Sequence, residues 1–70
     1  MFIPLEISRK IKKAQRLEKE LAANYVIIEK GYREGRREEV RYLRLHNFDL
    51  RDAIHELKLE LKEFAIKNNF

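Results

Sequence analysis

The chain has 70 residues, of which 40% are charged and 44% hydrophobic, with a net charge of +4 and no cysteine. This length holds one small domain spanning 1–70 and leaves little chain for the walls of a large ligand pocket. Without cysteine there is no disulfide scaffold and no thiolate zinc site, and no apolar run approaches the ~20 residues of a membrane helix.

Two glycines, one proline and abundant Leu, Glu, Lys, Arg and Ile predict an all-α chain. At the N-terminus Met1, Ile3, Leu5 and Ile7 alternate with Phe2, Pro4, Glu6 and Ser8, which is a strand period. A strand there would resemble the ribbon-helix-helix layout of small dimeric repressors. That resemblance covers about eight residues, and the second-helix pattern begins too far downstream for it. Pro4 suits the first turn of a helix, which leaves 1–6 as at most a short arm. Apolar residues precede basic ones, the reverse of a secretory signal, so the expected location is cytoplasmic.

From Ile7 the stripe Ile11, Ala14, Leu17, Leu21, Tyr25, Ile28 and Tyr32 advances by three or four residues at each step. It predicts a helix over 5–31, with Gly31 and Gly35 marking a bend or boundary. A second, less clearly patterned helix is expected over 36–46. A third is expected over 50–67, where Leu50, Ile54, Leu57, Leu61 and Phe64 form a heptad seam. Asp49 is placed to cap it at the start, and Asn68 and Asn69 at the end. The predicted architecture is a helical hairpin or three-helix unit.

A chain this short buries only about 60% of its unfolded surface. The run Tyr25-Val26-Ile27-Ile28 is apolar all round, and Leu59 and Ile66 lie off the seam. Helices apolar on several sides need several neighbours. Closure into a bundle by a homodimer, or by a protein partner, is therefore expected. Leu21, Tyr25, Ile28, Leu50, Ile54, Leu57, Leu61 and Phe64 are the predicted packing or partner-interface positions.

Charge is uneven. Residues 1–46 carry 12 basic and 7 acidic side chains, whereas 47–70 carry 4 and 5. Arg9, Lys12, Lys13 and Arg16 fall within an arc of about 100° on one helical face, with Lys10 nearby and no acid between Ile7 and Leu17. Arg33, Arg37, Arg41 and Arg44 form a second row spanning about 80° if that stretch is helical. Both rows are candidate sites for an anionic partner or a nucleic-acid backbone. Glu29 is placed to pair with Arg33 and Glu38 with Arg41. Tyr32 and Tyr42 flank the second row and are of a type that stacks on bases. The segment Glu38–Leu57 has a helix-turn-helix outline, but Asp49, Asp52 and Glu56 would face phosphates at the end expected to approach DNA.

Ser8 is the one hydroxyl of its kind beside no Thr and no Cys, and neither glycine lies in a phosphate-cradling motif. Asp52, His55 and Glu56 share a helical region without a metal-ligand motif. No catalytic residue, metal, cofactor or small-molecule substrate is therefore expected. The sequence points to a small regulator or adaptor that binds proteins through helix faces, with basic rims toward an anionic partner. The alternative is a nucleic-acid-binding protein that uses its Arg/Lys faces. A membrane partner is disfavoured, because the early basic helix is also needed for the core.

Overall fold

A computed structural model describes residues 3–68. Two long helices, α1 (Leu5–Glu34) and α2 (Arg37–Lys67), fold back on each other as an antiparallel hairpin, a rod of 50 × 16 × 15 Å. Among the described residues there is no strand. Pro4 immediately precedes α1, and its carbonyl accepts the first helical bond from the Ser8 amide at 3.0 Å. Leu5 and Glu6 of the expected 1–6 arm thus belong to α1, and Met1 and Phe2 lie outside the described residues.

The turn is short because Gly35 takes the left-handed conformation at φ 73°, which glycine reaches without a Cβ penalty. The Arg36 amide donates to the Gly31 carbonyl at 2.9 Å and the Gly35 amide to the Tyr32 carbonyl at 3.4 Å. Those two bonds make a Schellman cap. Arg36 then ties the helix ends together, reaching Glu34 and Glu39 at 3.0 Å each.

The hairpin has two helices, not three. No break occurs at Asn47-Phe48-Asp49, and α2 passes through it, joining the expected 36–46 and 50–67 segments. Asp49 stands in mid-helix and caps nothing. The reason lies in the seam. Val40, Leu43, Asn47, Leu50, Ile54, Leu57, Leu61 and Phe64 alternate steps of three and four without interruption, all buried or half-buried. This packing outweighs the few tenths of a kcal/mol by which Asn, Phe and Asp disfavour a helix. Likewise α1 runs past Gly31, which is buried against α2 rather than marking a bend. At the far end the Asn68 side chain donates to the Phe64 carbonyl at 2.9 Å; Asn69 lies outside the described residues.

The core is thin. Ala14, Ile28, Val40, Leu50 and Ile54 are its buried apolar members. Asn24 and Asn47 are buried beside them at 8% and 4% exposure.

Candidate interaction surface

Two helices leave two long edges and two outer faces. Along one edge, Glu18, Tyr25 and Tyr32 recur every seven residues on α1, opposite Lys58, Arg51 and Arg44 on α2. The Glu18 carboxylate pairs with the Lys58 ammonium at 2.9 Å. Arg51 donates to the Tyr25 hydroxyl and also lies over its ring, 5.4 Å from the centroid. Arg44 donates to the Tyr32 hydroxyl at 2.9 Å. Arginines on this edge thus meet neutral phenols, so their charge is not cancelled. The opposite edge carries carboxylates of both helices. Lys10 pairs with Glu60 at 2.9 Å, and Glu20 with His46 at 3.4 Å. The Glu60 carboxylate, by hydrogen bonding and by charge, holds the Lys10 ammonium above the ordinary lysine range against partial desolvation.

The four-arginine row of the sequence is split by the turn. Arg33 belongs to α1 and pairs with Glu29 at 3.5 Å. Arg37, Arg41 and Arg44 stand on α2 around an apolar groove with Tyr32, Leu45 and Phe48. The expected Glu38–Arg41 pair is not formed among the described residues. Arg51 extends the row instead. Arg9, Lys12, Lys13 and Arg16 are exposed on α1 near its start, at the opposite end of the rod from the turn. The two basic clusters are therefore separate surfaces.

Of the expected packing positions, Ile28, Leu50 and Ile54 are buried, and Leu21, Leu57, Leu61 and Phe64 are half-buried in the seam. Tyr25 is displaced onto the arginine edge at 41% exposure. The true seam residues beside it are Asn24 and Gly31, which a search for apolar residues passes over. Their signal was phase: Leu21, Asn24, Ile28 and Gly31 keep steps of three and four. Leu45 and Phe48 were likewise unassigned, and stand exposed at 58% and 57% beside the arginines.

No group of three or more His, Cys, Asp or Glu is arranged to hold a metal ion among the described residues. None of their helices is long and apolar enough to cross a membrane. No protein-family model, no curated protein and no solved structure matches this chain.

Proposed function

We propose that this chain is a non-enzymatic, cytoplasmic adaptor or regulator that acts through helix-mediated protein binding, with arginine rims toward an anionic partner. Dimerisation completes the bundle that one hairpin leaves open. The observation that carries this reading is the groove where exposed Leu45 and Phe48 lie among Arg37, Arg41 and Arg44. Apolar side chains ringed by uncancelled arginines are the composition of a protein-binding patch.

The test is capture from host extract by wild type and by a Leu45→Asp/Phe48→Asp variant, each with and without nuclease. The reading expects a defined protein retained after nuclease and lost with the variant. It is overturned if nuclease removes everything captured.

That outcome would support a second reading, binding of nucleic-acid backbone. Its specific support is that Arg44 and Arg51 bond to tyrosine hydroxyls rather than carboxylates. Backbone binding would weaken with salt at a slope of roughly −0.9 per phosphate neutralised on duplex DNA. Reversal of Arg9, Lys12, Lys13 and Arg16 to Glu would then show whether the α1 face takes part.

A further inference from the structure

We infer that the outer face of α2 is a self-association surface, on which a second copy of the chain docks with its α2 parallel and in register. This rests on the protein-binding reading above and gives it one specific partner.

Opposite the seam that packs on α1, α2 carries a second stripe. Leu45, Phe48, Asp52, His55, Leu59 and Ile66 follow at steps of three and four, completed by Lys62, and all are exposed. A 3-4 repeat on a free helix face has the spacing of a coiled-coil seam. The stripe runs from Leu45 to Ile66, about 32 Å at ~1.5 Å per residue, roughly two-thirds of the helix. Its apolar members are Leu45, Phe48, Leu59 and Ile66; Asp52, His55 and Lys62 take the other positions, and in register each meets its own copy. A polar layer inside such a seam costs stability and specifies register.

The flanks decide the partner and its direction. On one side of the stripe stand Arg44, Arg51 and Lys58, seven residues apart. On the other stand Asp49, Glu56 and Glu63, again seven apart and each five residues after a member of the basic set. In a parallel pair, the flank residue of one helix meets the opposite flank of its neighbour five residues further on. Arg44 then faces Asp49 of the second copy, Arg51 faces its Glu56, and Lys58 faces its Glu63. Twofold symmetry repeats each contact. An antiparallel pair would instead set basic flank against basic and acidic against acidic. Asp49, Glu56 and Glu63 have no cation partner within the hairpin among the described residues. Lys58 has Glu18, an exposed pair of the kind that contributes little and leaves the ammonium open to a second carboxylate. A foreign helix would need both flanks in the same order; α2 already has them.

The test uses sedimentation of the full chain and two triple variants, Arg44→Glu/Arg51→Glu/Lys58→Glu and Asp49→Lys/Glu56→Lys/Glu63→Lys. The wild type is expected to be a dimer. Each variant alone sets like charges along both flanks, and should dissociate at concentrations about tenfold higher or more. An equimolar mixture should recover a heterodimer, because the acidic flanks of one variant meet the basic flanks of the other. Circular dichroism of each variant checks that the hairpin remains helical. Orientation is read separately. The chain has no cysteine, so Ile66→Cys should form an intermolecular disulfide under mild oxidation, whereas Val26→Cys on α1 should not. A monomeric wild type at the highest soluble concentration overturns the inference, as does a mixture that fails to pair. So does an Ile66→Cys variant that does not cross-link. A monomeric wild type that still captures a different protein after nuclease would leave the adaptor reading standing without this one.

Discussion

The Asn24 side-chain amide donates to the Asn47 carbonyl oxygen at 3.0 Å, across the buried seam and 23 residues apart in sequence. Each asparagine occupies a position in the 3-4 repeat that would ordinarily hold leucine. Their bond satisfies one donor and one acceptor, and leaves the buried Asn47 side-chain amide nitrogen (Nδ2) without a partner.

Replacing either asparagine alone with leucine strands the other polar group in the seam. Asn24→Leu and Asn47→Leu are each expected to destabilise the hairpin by about 1–3 kcal/mol. The double replacement by leucine should recover that loss and exceed wild type, since both partners become apolar together. Denaturant unfolding of the three variants measures the cycle. If the double variant is as unstable as the sum of the singles, the bond is not the reason for the pair.

Gly31 faces Val40 so closely that a Cβ built on it would lie 2.6 Å from a Val40 methyl. Gly31→Ala should therefore destabilise by about 1–3 kcal/mol through overpacking, although alanine is the better helix former by about 1 kcal/mol. Adding Val40→Ala should lessen the penalty rather than add to it. Melting temperatures of the two singles and the double separate these effects, and a Gly31→Ala variant more stable than wild type would show that the helices are not held this close.

At Gly35 the constraint is the backbone alone. Its φ is 73°, and nothing lies within 4 Å of where a Cβ would be. Gly35→Ala should cost about 1 kcal/mol and Gly35→Asn less, because asparagine tolerates the left-handed region better. Equal melting temperatures for the Ala and Asn variants would contradict this.

The Lys10–Glu60 pair makes an alkaline signature. The carboxylate raises the Lys10 pKa above the ordinary lysine value of 10.5, so the folded state holds that proton more tightly than the unfolded chain does. Its contribution is therefore present in full below the ordinary value, and fades as pH rises through the higher folded one. Thermal melts of wild type and Lys10→Met should differ at pH near neutrality and converge at strongly alkaline pH. A difference that widens there would reverse the sign of the argument.

The helical class was legible because residue types and spacing act locally. From Leu50 to Phe64 the seam is continuously apolar, and the chain alone placed it. The seam was lost where it passes through Asn24, Gly31 and Asn47, because polarity and small size read as surface or as a break. Asn24 and Asn47 are tolerable inside only because each meets the other. Gly31 is suited to its place only because Val40 crosses there. The basic residues were equally plain, but their grouping was not: Arg33 parts from Arg37, Arg41 and Arg44 once Gly35 reverses the chain.

By itself, then, the sequence determined an all-helical chain, two concentrations of basic charge and an excess of apolar positions over what one hairpin buries. These follow from composition and from periods of three and four residues. Only the tertiary structure decided that there are two helices, that asparagine lies in the seam while Tyr25 and Tyr32 lie outside it, and that arginines meet phenols along one edge. Those outcomes depend on which residue of α2 arrives opposite each residue of α1. That register is set by the length and cap of the turn, and by packing between positions distant in the chain, which no local pattern encodes.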